Sequence, residues 1–406
     1  MKILILTQYF PPETGAPQNR LYSLATDLID AGADVTVLTA MPNYPKMEIF
    51  EGYKGKIYKK EVLNKIKIIR TWIFIVKSKA IVPRLINYIS FVISSLVAGL
   101  FKVKRPDVII CESPPLFLGI TAIALKKMKR TKLVFNVSDL WPETAEKLNI
   151  ITNKQMLNAS YWLEKKIYES AALVSGQTQG IIKNIQARYP MVPAYWFKNG
   201  IDTSTFDLNA GGSLFRLQNN VGDNDCILLY AGILGHAQGL EVIIKAANLL
   251  KDRKEIIFFL VGDGPEKDNL IKLSKEYELN NVRFFPNMQR NNMPGIVAAC
   301  DIYIVPLKKN DLFKGAIPSK LFEPLAMGKP ILLGVEGEAK KLFIEDGNCG
   351  MPFEPENEKE LSKGIQLLAD NRKLLSELGA NGKAYVLRNF DRKNINKEFY
   401  NRIKEL

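Results

Sequence analysis

The 406-residue sequence contains one histidine, His236. That inventory excludes a multi-histidine metal site, and it excludes a Ser-His-Asp triad away from this residue. The four cysteines, Cys111, Cys226, Cys300 and Cys349, are far apart and form no Cys-x-x-Cys pair. A zinc ribbon or a disulfide framework is therefore not expected, and the pattern fits a reducing cytoplasm. No paired-carboxylate motif for Mg²⁺ is evident. The apolar run Met1 to Leu6 is too short for a signal peptide and ends at Gln8, Pro11 and Pro12 without a small-residue cleavage site, so it is expected to be a first strand. Acidic residues are scarce only in the first half. Residues 1–200 hold 28 Lys and Arg against 14 Asp and Glu, whereas residues 201–406 hold 28 of each. The net charge of +14 thus sits on the N-terminal half. Such a surface attracts anionic partners: acidic headgroups, a phosphorylated acceptor or nucleic acid.

What is present is globular in composition, with 47% hydrophobic and 24% charged residues. Short β-branched runs alternate with helical patterns in both halves, which predicts parallel α/β architecture. Strands are expected at 3–7, 35–39, 108–111, 133–137, 173–175 and 194–197, then at 227–230, 257–261, 282–285, 302–305 and 331–333. Helices are expected at 18–31, 240–250, 266–277 and 292–299. The polar, glycine-containing stretch at 200–225 reads as the junction between two doubly wound domains facing a central cleft.

One segment stands apart. Ile89 to Phe101 is a run of 13 uncharged residues followed by Lys102, Lys104 and Arg105. At about 1.5 Å per residue it spans roughly 20 Å, short of a bilayer's roughly 30 Å hydrocarbon core. Two readings remain: a buried domain helix, or a helix lying in a membrane interface. Upstream, Lys54, Lys56, Lys59, Lys60, Lys65, Lys67 and Arg70 interleave with Tyr53, Tyr58, Trp72 and Phe74, a mixture suited to the headgroup region.

Four loops follow strands and precede helices. In Phe10 to Arg20, Gly15 allows close backbone approach and the next helix offers free N–H groups to an anion. Tyr230 to Glu241 carries Gly232, Gly235 and Gly239, a turn able to cradle a diphosphate, with His236 inside it. Its spacing is not Gly-x-Gly-x-x-Gly, which speaks against a dinucleotide site. Val261 to Glu266 places Asp263 at a turn, where a capping role competes with a ligand role. In Gly315 to Pro330, Glu323 is expected one helical turn below Ser319 on the same face. Ser319 and Lys320 face an anion, and Glu323 can accept from a ribose diol.

Here the sequence resembles the family 4 retaining glycosyltransferases of GT-B fold. The resemblance spans nearly the whole chain and is strongest at 232–241, 261–266 and 318–330. Glu-Pro-Leu-Ala-Met-Gly-Lys-Pro, at 323–330, is similar to the family's Glu-Ala-Met-Ala-x-Gly-x-Pro signature. The resemblance implies that Glu323 binds the donor ribose and that Gly232 and Gly235 lie at its diphosphate. It also implies that Gly15 and Glu13 belong to a loop over the phosphates and sugar. Pro-Pro-Glu-x-Gly-Ala, Val-Ser-Asp-Leu-Trp-Pro-Glu and Pro-Ser-Lys-x-x-Glu resemble a bacterial subgroup. Its members build O-antigen and capsule repeats, are often described as L-fucosamine transferases, and use UDP-activated N-acetylamino sugars with lipid-linked acceptors.

Three departures matter. Many members carry Arg and Lys where this chain has Ile233 and Gln238, so Lys320, with His236 or Lys314, is expected to supply the missing charge. A second upstream Glu is replaced by Gly315. The usual N-domain histidine falls at Ser138, beside Asp139.

The expectation is a metal-independent retaining transferase without cofactor. It would take a UDP-sugar and a polyprenyl-diphosphate-linked acceptor, at the cytoplasmic face of the membrane, with no nucleic-acid partner. Residues 1–205 would bind acceptor and membrane, 206–385 the donor, and 386–406 would return to the first domain. Asp139 and Glu13 are the expected catalytic residues. Gly15, Gly232, Gly235, His236, Asp263, Ser319, Lys320 and Glu323 are expected at the donor. Two other readings stay open: a UDP-N-acetylamino-sugar 2-epimerase of the same fold, and a non-catalytic sugar-nucleotide-binding membrane adaptor.

Overall fold

The computed structural model describes residues 1–77, 81–203 and 206–406. The chain forms two compact units, Met1–Asn199 with Lys393–Leu406, and Gly200–Arg392. These divisions lie a few residues from the expected 205/206 and 385/386 boundaries; residue 205 is outside the described residues.

Among the described residues the first unit holds eight strands: β1 (Lys2–Leu6), β2 (Asp34–Ala40), β3 (Tyr58–Leu63), β4 (Ile66–Thr71), β5 (Val108–Ser113), β6 (Lys132–Val137), β7 (Leu173–Gly176) and β8 (Ala194–Trp196). Their order is β3-β4-β2-β1-β5-β6-β7-β8, and all pairs are parallel except β3 with β4. Period-two alternation divides the apolar strand residues between two cores. Leu4, Leu6, Leu38, Ala40, Ile109 and Cys111 face one side; Ile3, Ile5, Val35, Val37, Val108 and Ile110 face the other. The C-terminal helix Arg392–Lys404 seals the second side with Ile395, Phe399 and Ile403, and Phe399 stacks on Phe197 at 3.9 Å.

Sequence reading missed the hairpin of β3 and β4, because its lysines and aromatics were read as a membrane belt. Arg70 is fully buried within it. Its Nε donates to Glu61 at 2.5 Å, and its other nitrogens donate to the carbonyls of Ala40 and Pro11. Lys59 pairs with Glu61 and lies 3.9 Å over the Tyr53 ring. These two cations therefore brace the sheet edge rather than meet headgroups.

The helix Ile81–Phe101 is buried along one face only. Phe91 and Ala98 enter the same core as Leu4 and Leu6, while Ile89, Ile93 and Val97 are exposed.

The second unit holds β9 (Cys226–Ala231), β10 (Ile256–Val261), β11 (Val282–Phe285), β12 (Ile302–Pro306), β13 (Ile331–Gly334) and β14 (Gly350–Pro352). Their order is β11-β10-β9-β12-β13-β14, all parallel. Every residue of β9, β10 and β12 is buried, as both-face coverage by helices requires. β14 is only three residues long, too short to announce itself by pattern.

Candidate active site

In the second unit the loops at the carboxyl ends of β9, β10 and β12 converge, the usual ligand position for parallel sheets. The loops after β9 and β10 are fused through their backbones. Leu234 N–H donates to Asp263 O at 2.9 Å, and Glu266 N–H donates to Leu234 O at 2.9 Å. Gly262, at φ 146°, lies so close to this loop that a Cβ would stand 1.9 Å from the Gly232 carbonyl. Only glycine meets both constraints.

Lys320 lies directly over this platform. A Cβ on Gly232 would stand 3.4 Å from its Nζ. The ammonium donates to Tyr230 Oη at 2.7 Å and to Gln238 Oε1 at 2.5 Å, and sits 4.2 Å from the Tyr230 ring centroid. Tyr230 in turn donates to the Ile233 carbonyl at 2.7 Å. Among the described residues Lys320 forms no ion pair, and burial lowers its pKa to about 7. The site therefore holds a cation whose nearest partners are neutral, an arrangement that an anionic ligand completes.

Glu323 is half-buried, and its carboxylate receives no protein hydrogen bond among the described residues. Desolvation raises its pKa, partly offset by the fields of Arg290 and Arg392. The segment is not the continuous helix expected. Ser319–Leu321 is a 3₁₀ turn and Phe322–Ala326 a five-residue α-helix, so Ser319 and Glu323 do not stack at α spacing. Five residues also make a weak dipole, so the positive potential here comes from side chains: Lys320, with the fields of Arg290 and Arg392. Tyr303 of β12 braces the end of β9, donating to Ala231 O at 2.9 Å and accepting from Ala231 N–H at 3.2 Å. Sequence reading passed over Tyr303; its only signal was a phenol inside an otherwise aliphatic strand.

The other expected donor residues fall around this centre with different environments. His236 is exposed and its Nδ1 pairs with Glu266, and Lys314 pairs with Asp311 at 2.8 Å. Asp263 is exposed and accepts from Gly264 N–H at 2.9 Å, the behaviour of a turn residue. A cavity of about 250 Å³ beside the loop is lined by His236, Gly239, Lys245, Glu266 and Lys308. A cavity of about 470 Å³ lies in the first unit, at the amino ends of β1, β2 and β4.

In the first unit, Glu13 is buried and fully committed. Its Oε1 accepts from the backbone N–H groups of Asn43 and Tyr44, both at 2.8 Å, and Oε2 accepts from Phe10 at 3.1 Å. Burial raises its pKa to about 7 against the pull of these bonds. Glu13 clasps two loops together; its carboxylate does not present a free oxygen. Gly15 is extended, at φ 165°, a conformation any residue adopts, and its close neighbour is the Gln18 carboxamide. Turn geometry therefore does not require glycine there. Asp139 stands on the exposed rim after β6 and accepts from Thr144 at 2.8 Å; protein packed around the carboxylate raises its pKa.

Ser138, where family members are expected to carry histidine, belongs to a polar network that sequence reading missed. Arg20 donates to Glu112 at 2.5 Å and to Ser138 at 2.8 Å, Ser138 bonds Glu112, and Gln177 donates to Ser138 at 2.5 Å. Asn136 donates to the other Glu112 oxygen at 2.7 Å and accepts from Ser175 at 2.7 Å. A serine so engaged is not a free base.

The family model for Glycosyltransferase Family 4 matches residues 18–205, and the model for Glycosyl transferases group 1 matches residues 214–385. Together they cover both units. The chain belongs to the family 4 glycosyltransferases. WcaI of Escherichia coli (strain K12), named as a glycosyl transferase of colanic acid biosynthesis, is 26% identical over the full length of both chains. Sucrose-phosphate synthase from Thermosynechococcus elongatus has a TM-score of 0.79 at 16% identity, covering 100% of this chain and 98% of its own. HepE from Anabaena, solved with UDP and glucose, has a TM-score of 0.73 at 19% identity, with complete coverage of both chains. These likenesses establish the GT-B fold of this glycosyltransferase.

Proposed function

We propose that this glycosyltransferase moves an N-acetylated sugar, of L-fucosamine type, from a UDP-sugar to an undecaprenyl-diphosphate-linked saccharide. The reaction proceeds with retention, in the building of O-antigen or capsule repeats at the inner face of the cytoplasmic membrane. The observation that carries this reading is Lys320. Its ammonium lies over the Gly232 loop, bonded among the described residues to neutral oxygens alone, three residues before a carboxylate with no protein donor among those residues. UDP and glucose in HepE support a nucleotide-sugar donor, and the naming of WcaI supports a polysaccharide product.

The reaction expels a diphosphate, so catalysis chiefly requires stabilisation of the charge that develops on it. Lys320 supplies that charge without a metal, and Tyr230 and Gln238 hold the ammonium in place. Gly232 and Gly235 let the backbone approach the phosphates, while Glu323 accepts from the ribose hydroxyls. Attack from the leaving-group face lets a donor phosphate oxygen take the acceptor proton, which accounts for retention. Asp139 positions the acceptor hydroxyl or stabilises the oxocarbenium-like centre. Glu13 acts through the loop it clasps.

The test is a panel of UDP-sugars with synthetic polyprenyl-diphosphate acceptors, reading product mass and anomeric configuration. A retained linkage to an N-acetylamino sugar is expected. Isomerised UDP-sugar formed without acceptor would instead assign a 2-epimerase, and failure to bind any UDP-sugar in calorimetry would assign a non-catalytic adaptor.

A further inference from the structure

The helix Ile81–Phe101 is amphipathic the wrong way round for a helix facing water. Its outward stripe is Val82, Ile86, Ile89, Ile93, Val97 and Phe101, each 46–78% exposed. Its inward polar residues are buried and bonded to protein. Asn87 donates to Phe74 O at 2.6 Å and accepts from Gln8 at 3.1 Å; Ser90 accepts from Phe74 N–H at 2.9 Å; Ser95 bonds Thr121 at 3.2 Å. Water would favour the reverse arrangement, so an apolar medium is needed outside.

We propose that this face docks on an anionic lipid bilayer, with the helix lying along the surface. The stretch Val82–Phe101 is long and apolar enough to cross a membrane by length and composition. However, Phe91 and Ala98 are packed in the sheet core, and Asn87 and Ser95 are bonded to protein. Crossing would break all of these contacts; lying on the surface breaks none. Trp72 and Phe74, both more than a third exposed, flank the stripe on the segment that Asn87, Ser90 and Ser94 hold. Aromatic side chains of this kind suit the headgroup boundary.

Charge selects the occupant. Arg84 lies at one end of the stripe, and Lys102, Lys104 and Arg105 follow the other. Lys102, Lys104 and Arg105 also line the 470 Å³ cavity, with Lys60 and the acids Asp34 and Glu61. The first 200 residues carry 28 basic against 14 acidic side chains. Two copies meeting through this face would bring like charges together, whereas acidic headgroups neutralise them. The face stands on its own geometry; that it brings the enzyme to a lipid-borne acceptor rests on the proposed function.

The experiment is co-sedimentation of the full chain with phosphatidylcholine vesicles, with and without about one-third phosphatidylglycerol, across a salt series. Binding to the anionic vesicles should be at least tenfold tighter and should weaken with salt. The exposed-site variant Ile89→Ser/Ile93→Ser/Val97→Ser should lose at least tenfold in binding, as should Lys102→Glu/Lys104→Glu. Both should keep wild-type UDP affinity in calorimetry and wild-type turnover with a water-soluble acceptor. Wild-type protein left in the supernatant with both vesicles, or variants that sediment like wild type, would overturn the proposal. A concentration-dependent dimer lost in the triple variant, without vesicle binding, would give the face to a second copy and also overturn it. Intact vesicle binding in a protein that binds no UDP-sugar would sink the proposed function and leave this inference standing.

Discussion

The ammonium of Lys320 lies 2.5 Å from the side-chain oxygen of Gln238. Gln238 occupies the position at which many family members are expected to carry a lysine. The cation missing from the loop after β9 is thus returned to the same place by a residue from the loop after β12. Ile233, where an arginine is expected, is 64% exposed and brings no replacement. Lys320→Ala should therefore lower kcat/KM by about 10–150-fold or more, the worth of one charge-assisted hydrogen bond of roughly 1.5–3 kcal/mol. The exchange Gln238→Lys/Lys320→Gln should recover much of the loss. Steady-state kinetics with matched circular dichroism decides it; near-normal turnover in Lys320→Ala would remove this residue from the donor site.

Donor binding should depend on pH through the same amine. Burial holds the Lys320 pKa at about 7 in the empty site, and a bound diphosphate favours the charged form and raises it. UDP affinity is then strongest below pH 7 and weakens by up to about tenfold per unit as pH rises above it. Near pH 8 binding should take up a proton. Calorimetry in buffers of different ionisation enthalpy reads that uptake, and a Lys320→Met variant should show none.

Glu323→Ala should raise the donor KM while leaving the fold intact. If its carboxylate receives the ribose diol, UDP lacking a ribose hydroxyl should bind wild type more weakly, yet bind the variant as well as UDP does. Equal discrimination by both proteins would place the ribose elsewhere.

Glu13→Gln separates a clasp from a catalyst. An amide keeps one acceptor oxygen but turns an NH₂ group toward a backbone N–H, so one buried donor loses its partner. The expected cost is about 1–3 kcal/mol of stability, read by denaturant unfolding. Loss of activity at wild-type stability would return Glu13 to a direct role.

Gly262→Ala should be among the most damaging single methyl additions in the second unit. It combines a φ of 146° with a Cβ placed 1.9 Å from the Gly232 carbonyl. A cost of about 2–4 kcal/mol is expected. The check is thermal unfolding together with UDP binding, because the displaced carbonyl belongs to the loop proposed to bind the donor.

Much of this arrangement was legible from residue order. Parallel strands buried on both faces read as continuous aliphatic runs, so β1, β9, β10 and β12 stood out. The loops that follow them were marked by glycine. The expectation that Lys320 makes good the missing charge came from the family resemblance, which sets Ile233 and Gln238 against an arginine and a lysine, and the Lys320 ammonium does lie against Gln238. What escaped had physical reasons. The strands β3 and β4 carry lysines and an arginine whose burial depends on Glu61, a partner no periodicity reveals. Arg20, Glu112, Asn136, Ser138 and Gln177 come from several separate elements and form a network only once the sheet assembles. The commitment of Glu13 to three backbone donors is likewise a property of two loops meeting. The change from 3₁₀ to α at Phe322 depends on local hydrogen bonds that side-chain spacing does not encode.

The neutral surroundings of Lys320 bear on turnover as well as on binding. Burial lowers the amine's pKa to about 7, so near neutral pH the empty site carries less charge than an ordinary lysine would. An anionic ligand favours the charged form, so the charge of such a site is completed as a diphosphate arrives. The same proton can depart as UDP leaves, so the grip relaxes with the product instead of retaining it. A permanently charged arginine there would keep its charge toward donor and spent nucleotide alike.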